Sequence, residues 1–556
     1  MEQARIFIAI ALSFLVFFVW NYFFAEKPTP PTKETVTEQA PAVPPAPKQA
    51  LPTQAPPQQE PPAGDGPDAT ETFKPATTTP QLKIDTPLYN AQLSAQGALF
   101  TRFSVNDYRE TVDANSPPKA LIPPENQIGF PRITLAGASL PGLNDAVFYS
   151  DTDAEEIVIK DQARTITYTW TSPAGIVVEK AYTFKPDSYL IGLTTRIKNG
   201  SPQAIDDHLV MTQFKQWTKA RNNYGFEGPS MLLDNKLKRL SRKDVKKQTD
   251  YAGQIQWVAN ESQFFMTGIV PPEPIDAVVR MLVGDDDKLE NQLIIATGSI
   301  APGAQKTFET GLYLGPKSIR FLTDIGFNLK KVVHFGFFVF LGKPCLWFLN
   351  KIYSVIPNYG VAIIIMTIIL KILLWPLGTK SYQSMNEMKR VQPLMTEIRE
   401  KYKDDKKKQN QEMMALYKTY KINPMGGCLP MLMQLPVFFA LYKMLYEAIE
   451  LRHAPFFGWI NDLSAPDRLF SFDFAIPLMQ PPYGIPVLTL IMGASMFLQQ
   501  KMSPPPGDPT QAKIMMIMPI AFTFIFINFS SGLVLYWLVN NILSMGQQFY
   551  IQKKYA

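Results

Sequence analysis

The segment Val361–Leu377, VAIIIMTIILKILLWPL, constrains this chain most. It is an apolar run that reads as a membrane span, and Lys371 sits inside it. An ammonium group at the middle of a lipid-facing helix costs about 2.5–3.5 kcal/mol on insertion scales. The chain must therefore fold so that Lys371 meets a polar cavity or partner, or so that its stem carries the charge to the interface. Leu377 is six residues away, roughly 9 Å at about 1.5 Å per residue, and a lysine stem covers much of that distance. On this residue alone both readings stay open.

The rest of the chain is divided. Residues 6–24 and most of 332–549 are apolar, whereas 25–320 have a soluble composition, so 556 residues imply more than one domain. Cys345 and Cys428 fall near opposite ends of the second span, and the fold is not expected to lean on a disulfide. His208, His334 and His453 are scattered without ligand spacing, so no metal site is expected. No phosphate-binding glycine loop, dinucleotide-binding glycine pattern or nucleophile elbow occurs. That argues against ATP hydrolysis and covalent catalysis, and no cofactor is expected.

Residues 1–25 read as an uncleaved transmembrane anchor. The apolar run 6–24 is long for a signal peptide, and Tyr22, Phe23 and Phe24 stand where a signal peptidase needs small residues. Residues 26–80 hold fifteen prolines among Ala, Gln and Thr from 27 onward, the composition of a disordered tether. From 81 to 316 the pattern alternates with period two, as in Thr165–Trp170, Ile176–Phe184, Tyr189–Arg196, Ala277–Leu282 and Thr307–Leu314. Short strands with turn signals predict an antiparallel β-sandwich. The basic run Lys236–Lys247 reads as a solvated face, with contact to acidic head groups as the minor alternative. Leu322, Ile325, Leu329, Val332 and Val333 share one helical stripe, so 317–350 is expected to include an amphipathic helix on the membrane surface.

Four further spans are expected at 429–446, 484–500, 514–529 and 532–549, six in all with the anchor. The last five have apolar cores of about 16–18 residues against the ~20 a bilayer needs, a shortness met either by polar flanks or by a thinned bilayer. Between 378 and 423 there are eleven Lys/Arg against six Asp/Glu, while 448–482 has only Arg452 and Arg468. This places both termini in the cytoplasm and the sandwich outside. Within the basic loop, 379–422, Met385, Met388, Val391, Met395, Ile398 and Tyr402 recur at three- and four-residue spacing, and Met413, Leu416, Tyr417 and Tyr420 follow. That predicts a helical hairpin with a coiled-coil-like seam, kinked or offset at Pro393. Sixteen of the 23 methionines lie between 377 and 518, which favours a soft, promiscuous binding surface at Met385, Met388, Met413 and Met414 over seam packing alone.

The spans also carry Thr367, Gln434, Gln499, Gln500, Thr523, Asn528, Asn540, Asn541, Ser544 and Gln547. Interhelical hydrogen bonding explains them at about 0.6 kcal/mol per contact. A single hydrated cavity shared with Lys371 is the other reading. No Asp or Glu falls in the core of any span, which argues against a proton-coupled transporter, and no internal repeat supports one. A scaffold protein with a mere membrane anchor does not require five polar-studded spans.

Asn423-Pro-Met-Gly-Gly-Cys-Leu-Pro430 and Gln434-Leu-Pro-Val-Phe-Phe-Ala-Leu-Tyr442 resemble the third-span signature of the Oxa-type insertase family. Glu412–Tyr417, Gln500–Ser503 and Ser531–Tyr536 match it too. The plan of anchor, tether, outer sandwich, surface helix and core at 351–551 is similar to the family's long Gram-negative form. The resemblance implies an inner-membrane insertase and chaperone of nascent membrane proteins, not an enzyme, working alone or with the Sec translocon. It implies a hydrophilic groove open to the cytoplasm and to lipid. Lys371 takes the place of the family's usual arginine, and Thr367, Gln434 and Tyr536 take other groove positions. Trp537 stands where a second tyrosine is common. The segment 552–556 is too short for the basic ribosome-binding tail of some relatives, and no nucleic-acid motif is present.

Overall fold

The computed structural model describes residues 80–555 apart from 124–128, 138, 139, 141, 144, 218–224, 285, 286, 421–428 and 504–508. The anchor, the tether up to residue 79 and Cys428 lie outside these residues.

The alternating segments are strands. Val177–Phe184 buries every second residue, and Arg164–Thr171, Leu190–Lys198, Ile275–Val283 and Gln305–Pro316 join it in a large antiparallel sheet. A second sheet runs Pro118–Ile122, Leu99–Arg109, Tyr89–Ser94, Gln81–Asp85, Glu156–Val158. Its last pair is parallel, so the sandwich is not purely antiparallel. Glu156–Val158 enters as a three-residue edge strand from a long connection, and nothing in its sequence sets its direction. The large sheet also splits. Asp250–Glu261 pairs with Ile275–Val283 along its first half and with Phe265–Val270 along its second. Gln213 and Asn291 donate to the Val258 and Ala259 carbonyls near that split.

The two sheets meet through an aromatic interlock. Phe100 packs edge-on against Tyr182 at 5.4 Å and Phe184 at 6.2 Å between ring centroids. On the same face as Val178, Tyr182 and Phe184 stands Lys180, 1% exposed. Its Nζ donates to the Gly97 carbonyl at 2.6 Å, and the Tyr182 hydroxyl donates to the Ala98 carbonyl at 2.6 Å. Gly97 and Ala98 have φ of 71° and 44°. This left-handed turn aims two carbonyls inward, where they need donors.

Burial pushes the Lys180 ammonium down to about 7. The unfolded chain holds that proton to about pH 10.4. Between these values the unfolded state binds more protons, so stability rises with pH and the full penalty is present below about 7. Lys180→Met is expected to flatten this rise by an amount on the order of a few kcal/mol. Thermal unfolding of the purified protein followed from pH 7 to 10 measures it. An unchanged slope would show that another group carries the dependence.

The basic run 236–247 is a strand, Lys236–Arg239, followed by a short helix α1, Arg242–Lys247, with a capping box between Ser241 and Asp244. The stripe at 318–333 is not one helix. Helix α2 covers Ile319–Ile325, the chain turns at Gly326, Phe327 and Asn328 with positive φ, and a 3-10 turn covers Leu329–Val332. Leu322, Leu329, Val332 and Val333 are buried in the protein's own core, so the stripe is spent internally.

The next helix is α3, Val339–Tyr353. It buries Cys345, Leu346 and Leu349 and exposes Phe340 and Trp347. Next come α4, Tyr359–Leu373; α5, Trp375–Lys401; α6, Lys406–Thr419; α7, Leu429–Glu447; a small strand pair; α8, Val487–Met502; α9, Pro509–Phe526; and α10, Ser531–Tyr555. Asn358 caps α4 by accepting from the Val361 N–H, and Asp405 caps α6 from Lys408. The buried Asp467 accepts from the Leu488 N–H and the Thr489 hydroxyl at the start of α8. Helix α10 packs on α8 and α4, α9 on α8, and α3 on α7 and α4.

The segment 361–377 does not form one straight span. Leu374 separates α4 from α5, which leave it at 64° to one another, and Pro376 lies in the first turn of α5. Proline fits that first turn, where no intrahelical donor is needed. Helix α5 then continues through Pro393 without a break. Among the described residues no single helix is long and apolar enough to cross a membrane. The bent pair α4–α5 has the length and apolar composition only when its two helices are taken together, and Met515–Phe526 is a shorter apolar helix. The expected count of spans is thus not carried by helix length alone.

Candidate functional site

The break at Leu374 changes the position of Lys371. It lies in the last turn of α4, not at the middle of a span. A cation there faces the negative end of the helix dipole and its unpaired carbonyls. The side chain is half-buried, and its Nζ donates to the Ser544 hydroxyl of α10 at 2.7 Å. Ser544 in turn donates to the Asn540 carbonyl one turn earlier at 2.6 Å. The Asn540 side-chain oxygen accepts from Gln434 Nε2 of α7 at 2.9 Å. Gln434 also hydrogen-bonds Tyr536, and Tyr382 of α5 hydrogen-bonds Ser544 and Gln499.

One polar network therefore links α4, α5, α7, α8 and α10. Asn540 and Ser544 face it together because four residues make about one turn. It holds one cation and several neutral amides and hydroxyls. Among the described residues no carboxylate forms an ion pair with Lys371. Such a site can solvate a polar chain and attract an anion at Lys371.

The other expected residues are placed differently. Thr367, 1% exposed, donates to the Ile363 carbonyl of its own helix. Tyr536 is buried, at 3% exposure. Trp537 sits in an aromatic cluster, edge-on to Phe438 at 4.7 Å and near Phe522 and Phe526. Tyr382 was missed by sequence reasoning. It is eleven residues past Lys371, beyond the bend, and only knowledge of that bend brings the two together.

Towards the end of α10 the seam stays polar. Gln547 donates to the Trp375 carbonyl at 2.9 Å, and Gln548 and Gln552 donate to the Met502 carbonyl. Helices α5 and α6 form the hairpin, with Val391, Met395 and Met413 buried in its seam and Met388, Ile398, Leu416 and Tyr417 beside them. Met413 thus packs inward, Met385 and Met388 are half-buried, and Met414 is 53% exposed.

Residues 351–556 match the family described as "60Kd inner membrane protein", and residues 81–348 match the "YidC periplasmic domain". A membrane protein insertase YidC from Syntrophus aciditrophicus (strain SB) is 39% identical over 560 residues, spanning 98% of this chain and 99% of its own. One from Syntrophobacter fumaroxidans (strain DSM 10017 / MPOB) is 40% identical over 570 residues, spanning 99% of this chain and 100% of its own. One from Citrifermentans bemidjiense (strain ATCC BAA-1014 / DSM 16622 / JCM 12645 / Bem) is 38% identical over 559 residues, spanning 100% of both.

Proposed function

The chain belongs to the YidC family of membrane protein insertases, and from that premise we propose that the network around Lys371 is the floor of a groove that receives the polar flank of a nascent membrane segment. The protein is an inner-membrane insertase with a periplasmic domain, not an enzyme, and its clients are membrane proteins handled in contact with lipid. The observation that carries the reading is the half-buried Lys371 ammonium, whose hydrogen-bond partner is a neutral hydroxyl. Lys371 attracts acidic groups in the flank, and Gln434, Asn540, Ser544 and Tyr382 replace the water it gives up. Burial of about 20 apolar residues of the client in the bilayer supplies the energy, so insertion needs no fuel.

In this reading the chain spans the membrane six times, with the domain 81–316 outside and both termini in the cytoplasm, as the basic excess at 378–423 argues. The groove opens to the cytoplasm and laterally to lipid, and the client leaves along α7 and α9. The protein works alone or with the Sec translocon. The hairpin meets the client first, through the part of its methionine surface left open around Met385, Met388 and Met414.

A photoreactive residue at Gln434 is expected to crosslink a stalled nascent client, whereas one at the outward Ile372, 63% exposed, is not. Crosslinks at Ile372 alone would refute the groove. For the hairpin, Met414→Ser is expected to weaken client crosslinking with stability held within about 0.5 kcal/mol. Met413→Ser is expected to destabilise the hairpin by about 2 kcal/mol. Equal crosslinking by wild type and Met414→Ser would confine the methionines to packing.

A further inference from the structure

A cavity of about 270 Å3 lies between the α3–α4 turn and the stretch that follows α7, lined by Tyr353, Tyr359, Glu450 and Arg452 among others. Tyr359 opens α4 and Lys371 stands near its other end, so the cavity is at the far end of that helix from the polar network. It adjoins the periplasmic domain, because Arg452 Nη2 donates to the Arg109 and Glu110 carbonyls at 2.6 and 3.2 Å.

The two charges lining it are not paired with each other. Glu450 lies beside the Asn350 amide, whose oxygen accepts from the Tyr359 hydroxyl at 3.1 Å. Arg452 is held by the domain's carbonyls and lies over the Phe265 ring at 5.5 Å. Among the described residues no ion pair joins them. A carboxylate and a guanidinium anchored apart on one cavity present complementary charge to a ligand that carries both signs. The Tyr353 and Tyr359 rings, stacked at 3.9 Å, add aromatic surface suited to an ammonium. Burial pushes the Glu450 carboxyl up, which is the cost that a bound cation reverses.

The flanks of the lining segments point to the source of the ligand. Val355 and Phe457, each two residues from a lining residue, are 77% and 62% exposed. Apolar groups around a charged cavity suit a membrane interface, with acyl chains on the rim and a headgroup inside.

We propose that this cavity binds the headgroup of a zwitterionic aminophospholipid, with its ammonium at Glu450 and the tyrosine rings and its phosphate at Arg452. The phosphoethanolamine group has about eight non-hydrogen atoms, suited to a cavity just below the ~300–1,000 Å3 of drug-sized sites. A primary ammonium supplies donors to the carboxylate, and the phosphate accepts from guanidinium nitrogens not used by the domain. The proposal stands apart from the groove and does not depend on it.

Native mass spectrometry of the purified, delipidated full-length protein tests it, with phosphatidylethanolamine or phosphatidylglycerol of identical chains added. Wild type is expected to retain phosphatidylethanolamine about tenfold more strongly, and Glu450→Gln to lose that preference while phosphatidylglycerol retention is unchanged. Tyr353→Leu is expected to weaken retention in the same direction and serves if Glu450→Gln does not fold. Equal retention of both lipids by wild type overturns the proposal, as does an undiminished preference in the folded variants. Soluble phosphoethanolamine as competitor separates the two sources of the headgroup. Failure to displace the lipid at millimolar concentration supports the lipid, and binding as tight as the lipid's overturns the lipid assignment.

Discussion

Lys371→Glu is expected to lower insertion of clients with acidic translocated flanks by about tenfold or more, and that of neutral-flank clients far less. Each tenfold loss corresponds to about 1.4 kcal/mol of interaction, and reversing a charge in a half-buried site readily exceeds that. The substitution also places an anion at the C-terminal end of α4, an unfavourable arrangement of about 0.3–1 kcal/mol, so folding is checked alongside by protease protection of the core. Lys371→Arg is expected to insert normally, because the site asks for a cation and the Ser544 hydroxyl accepts from either group. Insertion is measured in vesicles holding only this protein and one client. Normal insertion of acidic-flank clients by Lys371→Leu would mean that the charge merely reaches the interface.

Glu261→Leu is expected to have the largest effect on stability. Glu261 is fully buried, receives Arg239 at 2.7 Å and Lys317 at 3.3 Å, and its backbone carbonyl accepts from Lys215. Removing the carboxylate strands two cations in the interior, at a cost of about 3–5 kcal/mol. For a domain of this size that is roughly 10 °C in thermal midpoint. Arg239 also donates to the Val332 carbonyl at 2.6 Å, so the segment after α2 is expected to become protease-sensitive at the same time. The pH dependence follows. Burial raises the Glu261 carboxyl, but Arg239 and Lys317 outweigh it and hold it below the usual range. Its contribution is therefore complete above the unfolded value of about 4.3 and is lost as pH falls through the folded one. A wild-type midpoint in the Leu variant would show that the cations rearrange to solvent.

The strands were legible because their period is two and one face is buried. Val177–Phe184 shows both the reach and the limit of that reading. Its alternation predicts the strand, yet Lys180 occupies an inward position that the pattern assigns to an apolar residue. Only the turn at Gly97 and Ala98, distant in sequence, explains it. The stripe at 318–333 misled because helical periodicity ignores backbone breaks, and Gly326-Phe327-Asn328 turns the chain where the stripe continues. Trp375-Pro376 was a readable signal for a new helix start, and reading it would have moved Lys371 to a helix end. The polar partners of Lys371 were visible as scattered residues, with Asn540 and Ser544 at helical spacing. Which of them it meets depends on how α10 crosses α4, a matter of packing that no local pattern records. For the same reason Met413 and Met414, adjacent and chemically identical, divide between seam and surface.

The 64° joint at Leu374 makes α5 a lever whose fulcrum adjoins Lys371. Its 27 residues reach about 40 Å at 1.5 Å per residue. A swing of about 5° at the joint carries the far tip through roughly 3.5 Å, whereas the end of α4 moves by a small fraction of that. Gln547 holds the short end by its bond to the Trp375 carbonyl. A force applied at the hairpin tip would thus act with mechanical advantage on the hydrogen bonds around the fulcrum.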